Sequence, residues 1–282
     1  MRLLVTGAAG MLGQDVVGAG ERAGHEVVGL GRDALDVSEE TAAGRVVREL
    51  APDAIVNCAA YTNVDGAQSD PEGAEAVNRH GARHVARAAA QVGAMVIHVS
   101  TDYVFDGRKD GAYLESDPTH PLSVYGASKL RGEQEVAAAT PRHVIARSAW
   151  LFGSGGRNFV STLLALAEER EEVNVVDDQV GCPTWTGHLA PVLVGLAGEE
   201  QTGVHHLAAS GECSWHAFAQ EIFTTAGVAC RVLRSRSADL DRPAPRPANS
   251  VLLTTRGAAP PLPHWRNGLG AYLLERAELT AR

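Results

Sequence analysis

Tyr125 and Lys129 stand four residues apart in the run Tyr125-Gly126-Ala127-Ser128-Lys129. On a helix that spacing puts both side chains on one face, one turn apart. The chain carries only two lysines, Lys109 and Lys129, and fills its other basic positions with arginine. A retained lysine suggests work that a guanidinium cannot do, because a compact ammonium fits beside a phenol where a wide planar fork does not. An ordinary tyrosine titrates near ~10. A neighbouring ammonium favours the phenolate and makes the hydroxyl a usable acid or base near neutrality. An exposed Tyr and a solvated Lys sharing a helix face would look the same, so the pair needs a second signal.

That signal is the first turn of the chain, Gly7-Ala8-Ala9-Gly10-Met11-Leu12-Gly13, directly after the apolar run Leu3-Leu4-Val5. Strand, glycine turn and helix start make the context of a dinucleotide fingerprint, here spaced GxxGxxG. Gly7 permits the tight turn, Gly10 lets backbone approach a pyrophosphate, and Gly13 lets the helix pack against the strand. The helix N-terminus, at Met11 and Leu12, receives the phosphates. The loop after the second apolar run is Gly29-Leu30-Gly31-Arg32, without the acidic residue that would hold a ribose 2′-hydroxyl. Arg32 could pair with a 2′-phosphate and favour NADPH, with NADH as the alternative, or be an ordinary surface charge.

The elements that must position these groups alternate through the first half. Leu3–Thr6, Glu26–Leu30, Ala54–Cys58, Met95–Ser100 and Val144–Ser148 are short β-prone runs, separated by helical stretches near Leu12–Ala23, Ser38–Leu50 and Pro71–Gln91. Alternation of this kind predicts an α/β fold, a doubly wound parallel Rossmann sheet with its chemistry at the carboxyl ends of the strands. Thr101 falls at such an end. The predicted division is a dinucleotide-binding domain over 1–150 and a smaller, loop-rich substrate lobe over 151–282. Pro and Gly cluster there in Gly153–Gly156, Pro243–Pro247 and Ala258–Pro263, while segments near 186–209 return to the Rossmann core.

A formal charge of −9 with no basic block argues against a nucleic-acid partner. Cys58, Cys182, Cys213 and Cys230 show no CxxC or metal spacing, which suits reduced thiols. His205-His206 would point to opposite faces of a strand and make no metal site. A strand beginning at once and the lack of a membrane-length apolar run predict a soluble, cytoplasmic protein.

With these motifs in place, the chain resembles the extended short-chain dehydrogenase/reductases, and among them the dTDP-4-dehydrorhamnose reductases. The closer likeness rests on Asn57-Cys58-Ala59-Ala60-Tyr61-Thr62-Asn63-Val64-Asp65, Ser100-Thr101-Asp102-Tyr103-Val104-Phe105-Asp106-Gly107, Arg147-Ser148-Ala149-Trp150, Asp178-Gln179-Val180-Gly181-Cys182-Pro183-Thr184 and Arg246-Pro247-Ala248-Asn249-Ser250. The resemblance implies NADPH-dependent reduction of the 4-keto group of dTDP-4-dehydro-L-rhamnose, with Tyr125 protonating the carbonyl oxygen. Lys129 would hold the nicotinamide ribose, and Thr101 would bond the carbonyl or Tyr125. It also implies adenine-edge contacts at Asp36 and Val37, and backbone contacts to the cofactor's other half at Ala60, Tyr61 and Thr62.

On the substrate side, Arg246 matches a diphosphate-binding arginine, though an arginine among prolines can also be a solvated loop residue. Asp102 could reach sugar hydroxyls or cap a turn; Trp150 could stack on a sugar or base, or pack in the core. The partner implied is a dTDP-deoxyhexose. Two other readings stay open: a 4-ketoreductase for another deoxysugar nucleotide, and a non-catalytic nucleotide-binding regulatory subunit. The superfamily's dehydratases follow the catalytic Thr with Asp-Glu, whereas this chain has Asp102-Tyr103. Some family members dimerise through Mg²⁺ held by interface glutamates. Here those positions fall at Asp15 and near His188, which predicts a monomer or a weak, metal-independent homodimer.

Overall fold

A computed structural model describes residues 1–257 and 261–280; residues 258–260 of the Ala258–Pro263 cluster lie outside the described residues. The chain opens with β1 (Arg2–Thr6), α1 (Met11–Arg22), β2 (Glu26–Leu30), α2 (Glu40–Leu50) and β3 (Ala54–Asn57). Along β1 the side chains alternate: Leu3 and Val5 pack with Val16 of α1, while Leu4 packs with Val46 and Val47 of α2. Apolar residues on both faces make this a strand covered by helices on both sides. The second helix starts later than its sequence pattern suggests. Ser38 donates from its amide and hydroxyl to Asp36 Oδ1 (3.0 and 2.6 Å), a local turn that holds back the helix start.

Beyond β3 come α3 (Gly66–Ser69), α4 (Pro71–Glu75), a π-helical stretch over Ala76–Gly81, and α5 (Ala82–Val92). The helix expected over 71–91 is therefore present but widened in its middle. It ends at Gly93, whose φ of +73° suits glycine. Next follow β4 (Met95–Thr101), α6 (Val124–Ala139) and β5 (His143–Ser148).

The second half contributes β6 (Leu151–Phe152), α7 (Phe159–Glu169), β7 (Glu172–Val176), β8 (Val180–Gly181), β9 (Thr184–Trp185), α8 (Thr186–Ala197) and β10 (Gly203–His206). It finishes with β11 (Ala209–Ser210), β12 (Cys213–Ser214), α9 (Trp215–Ala226), β13 (Arg231–Ser235), β14 (Leu262–His264) and α10 (Trp265–Thr280). The central sheet runs β10-β5-β4-β3-β1-β2, every neighbour parallel. Of the segments near 186–209, Gly203–His206 is the sixth strand. Leu189–Leu196 is helical and buries Leu189 and Leu193 against the same face as Leu3 and Val5. Residues from α7, α9 and α10 form a separate cluster around Phe152, Phe218, Trp265 and Tyr272. Strand order reverses between β1 and β3, β2 having been added on one side of β1 and β3 on the other, so a crevice opens beyond their carboxyl ends, where ligands settle in open α/β sheets.

Candidate active site

Ser123 caps α6 by accepting the Gly126 amide at 3.2 Å, which fixes the start of the helix that carries Tyr125 and Lys129. Lys129 is buried, and its Nζ donates to the Val99 carbonyl at 2.6 Å. Burial holds its ammonium down at about 8, with Glu133 pulling the other way. Tyr125 differs from the sequence expectation. Burial pushes its phenol up to about 12 and the Asp102 charge adds to the rise, while a hydrogen bond with Thr101 opposes both. Lys129 is anchored on a backbone carbonyl, and in the free protein burial governs the phenol.

Beneath the pair lies a buried network. Arg147 Nε and Nη2 donate to the two oxygens of Glu133 at 2.9 and 2.6 Å, and Ser100 donates to Glu133 at 2.5 Å. One residue before Lys129, Ser128 accepts from the Asn78 side-chain amide of the π-helical stretch at 3.0 Å. Asn78 also accepts the Tyr61 amide at 2.8 Å and donates to the Tyr61 carbonyl at 3.1 Å. This one side chain ties the loop after β3 to α6. Widened helical turns often mark such sites.

The glycine turn fits a dinucleotide. Gly7 has φ +66°, and a Cβ there would lie 2.7 Å from the Ala59 amide nitrogen. A Cβ at Gly13 would come within 2.8 Å of Ala8 Cα. The first turn of α1 has neither a side-chain cap nor an acidic residue, so its amide groups and positive dipole end face the crevice. Arg32 holds Asp36 at 3.4 Å with its side chain 82 % exposed, a loose pair that leaves the guanidinium able to turn toward a phosphate. Two hydrogen bonds from Ser38 lower the Asp36 carboxyl.

At the other end, Thr101 donates to Asp102 Oδ1 at 2.9 Å and accepts the Tyr103 amide at 3.2 Å. Burial raises Asp102 to about 6, against hydrogen bonds from Ser250 and Thr101. Trp150 adopts a left-handed conformation, φ +50°. Its ring lies on Trp215 with centroids 3.5 Å apart and planes at 3°. Arg246 is engaged by Asp65, its Nη1 and Nη2 donating to the two carboxylate oxygens at 2.8 and 2.7 Å. Nη1 also donates to the Ala244 carbonyl at 2.7 Å.

One cavity of about 810 Å³ gathers Gly7, Gly10, Met11, Leu12, Gly13, Arg32, Asp36, Val37, Ala60, Tyr61, Thr62, Thr101, Asp102, Tyr125, Lys129 and Trp150. Arg246 is outside that lining. The sequence reading missed Arg157, which lines the cavity, together with Asn78, Asp65 and Trp215. An asparagine among the alanines of a helix was a readable signal for Asn78, and Asp65 closes the Asn57–Asp65 run; Arg157 and Trp215 had none. Burial pushes the Cys58 thiol in this cavity up to about 12, away from thiolate chemistry. His205 and His206 are both buried on β10, with His206 Nδ1 3.1 Å from the Tyr113 carbonyl. Among the described residues, no three His, Cys, Asp or Glu side chains are grouped to hold a metal.

A parallel Rossmann sheet, a dinucleotide-binding turn at its switch point and a Tyr–Lys pair beside a strand-end Thr define an NAD(P)H-dependent oxidoreductase of the extended short-chain dehydrogenase/reductase class. A family model described as the RmlD substrate binding domain matches residues 1–277. Over 278 residues the chain is 44% identical to a dTDP-4-dehydrorhamnose reductase of Streptomyces griseus, covering 95% of this chain and 91% of that protein. It is 41% identical over 280 residues to a probable dTDP-4,6-dihydroxy-2-methyloxan-3-one 4-ketoreductase of Streptomyces antibioticus, covering 95% and 93%. The crystal structure of dTDP-4-dehydrorhamnose reductase from Bacillus anthracis in complex with NADP superposes with a TM-score of 0.94 at 36% identity, covering 97% of this chain and 99% of that one. The chain belongs to the dTDP-4-dehydrorhamnose reductase family.

Proposed function

We propose that this protein reduces the 4-keto group of dTDP-4-dehydro-L-rhamnose to the alcohol of dTDP-L-rhamnose, with NADPH as reductant. The observation that carries the reading is the convergence of Thr101, Tyr125 and Lys129 with the glycine turn in one cavity, in a member of this family. When bound, the nicotinamide supplies the hydride. Tyr125 gives its phenolic proton to the carbonyl oxygen as charge builds there, and Thr101 steadies the phenol through its hydrogen bond. Lys129, fixed by Val99, reaches the nicotinamide ribose. The α1 N-terminus takes the pyrophosphate, Arg32 a 2′-phosphate, Asp36 and Val37 the adenine edge, and the backbone of Ala60–Thr62 the ribose. Asp102 and Trp150 face the sugar. Arg246 serves the diphosphate once it turns from Asp65.

Residues 1–150 act as the cofactor domain and 151–282 as the substrate lobe, with 186–209 lent to the Rossmann core. No helix among the described residues is long and apolar enough to cross a membrane, and the working site is the cytoplasm. The protein works without nucleic acid, as a monomer or weak metal-independent dimer; gel filtration with Mg²⁺ and with EDTA tests this, and a dimer lost in EDTA contradicts it.

The second reading, a 4-ketoreductase for another deoxysugar nucleotide, draws support from the Streptomyces antibioticus relative, almost as similar as the rhamnose reductase. A complete Thr–Tyr–Lys set counts against a non-catalytic subunit. NADPH oxidation with dTDP-4-dehydro-L-rhamnose and with other dTDP-4-ketosugars decides between them. The account expects the highest kcat/KM for the rhamnose precursor; a higher value for another ketosugar gives the second reading.

A further inference from the structure

We infer that Trp215, which lies outside the cavity lining, is a positioning residue that sets the substrate wall by holding Trp150 edge-on to the cavity. The inference rests on the ketosugar reading of the site. Trp150 lines the same cavity as Asp102 and Tyr125, yet both faces of its ring are met by protein. Trp215 covers one face at 3.5 Å with the planes 3° apart. Gly181 lies against the other: a Cβ there would overlap Cε2 and come within 2.7 Å of both Nε1 and Cζ2. The near-equal approach to Cε2's two ring neighbours places that Cβ above the ring. The indole is thus sandwiched, and only its edge is left for a ligand, whereas an unbraced tryptophan at this position would offer a face to a sugar or base.

The bracing also explains how Trp150 keeps a left-handed backbone, φ +50°, which side chains other than glycine adopt at a cost. Its carbonyl accepts the Thr184 amide at 3.2 Å, and its ring is locked by the stack. Trp215 is itself held by Phe159 at 4.4 Å and begins α9 behind the Ser214 cap. The strand pair that places Gly181 opposite Cys213 brings both sides of the sandwich together. Neither Trp150 nor Trp215 is among the residues assigned to the cofactor, so the device bears on substrate and not on NADPH.

Two measurements test this. The first is the far-ultraviolet circular dichroism of the wild type, Trp150→Phe and Trp215→Phe. A stacked indole pair gives an exciton couplet; its presence in the wild type and loss in both variants is expected, and a wild type without it overturns the inference. The second is steady-state kinetics of Trp215→Ala, Trp215→Phe and Gly181→Ala. Trp215→Ala is expected to raise the ketosugar KM by about ten-fold, the upper range for one aromatic pair. Its kcat and its NADPH dissociation constant by calorimetry should stay near wild type. Trp215→Phe should recover most of the loss, and Gly181→Ala should raise KM by crowding the indole. An unchanged KM in Trp215→Ala overturns the inference, as does a parallel fall of kcat, NADPH affinity and melting temperature in both Trp215 variants. A wild type that shows the couplet but does not turn over the ketosugar refutes the reaction reading alone. The dTDP dissociation constant of Trp215→Ala against wild type by calorimetry then decides the positioning role: a weakened value supports it and an unchanged one overturns it.

Discussion

On the side of the cavity proposed for the cofactor, the glycines follow β1, Arg32 follows β2, Ala60–Thr62 follow β3 and Thr101 closes β4, all at the carboxyl ends of parallel strands. On the side proposed for the substrate, Trp150 leaves β5 in a left-handed turn and is held by Trp215 of α9, while Arg246, outside the cavity lining, is held by Asp65. The first region is placed by sheet register, so local sequence determines it. The second is placed by pairs of side chains that meet only in the folded chain. The two lysines show the same contrast. Lys109 pairs with Asp117 at the partly exposed surface, whereas Lys129 is buried under the crevice on a backbone carbonyl.

The largest expected effect strikes the support of the regular region. Arg147 and Glu133 are each 5 % exposed at the side chain. Truncating Arg147 to Ala strands a buried carboxylate, at about 3–5 kcal/mol. Urea unfolding should show that loss, and a change under about 1 kcal/mol would mean the network is solvated after all.

Asp102 joins the two regions through Thr101 and Ser250. Its carboxyl sits at about 6 in the fold, above the 3.8 of an unperturbed Asp. The fold therefore holds this proton more tightly than the unfolded chain does. Its contribution is full below the unfolded value and is lost as pH rises through about 6, on the order of 3 kcal/mol in all. Asp102→Asn should flatten the fall in stability between about pH 4 and pH 6 relative to wild type. Parallel curves for the two proteins would contradict the assignment.

The smallest effect concerns Arg32, exposed at the edge of the regular region. Arg32→Ala should weaken NADPH by about ten-fold, one charge-assisted phosphate contact, and leave NADH unchanged. Equal losses for both cofactors by calorimetry would assign Arg32 to another part of the dinucleotide.

Legibility in the sequence follows the same division. The Leu3-Leu4-Val5 run, the glycine turn and the four-residue Tyr125–Lys129 spacing are local patterns with local causes; the first builds the core strand, and the cavity gathers the other two. Asn78 and Ser128 are 50 positions apart, and Asp65 and Arg246 are 181 apart. No periodicity links such partners. The start of α2 was misplaced because Asp36 and Ser38 form a turn that competes with the helix. The spacing of Lys129 from Tyr125 gives their shared face, and no local pattern foretells the Val99 carbonyl that accepts from its Nζ.

The central claim is that Tyr125 delivers the proton to a 4-keto oxygen. Single-turnover NADPH oxidation with dTDP-4-dehydro-L-rhamnose, comparing wild type with Tyr125→Phe and with NADPH binding measured alongside, tests it most directly. The account predicts a rate loss of about 10²–10⁴ with cofactor affinity retained. A variant that binds NADPH and turns over within about ten-fold of wild type would place the proton on another group.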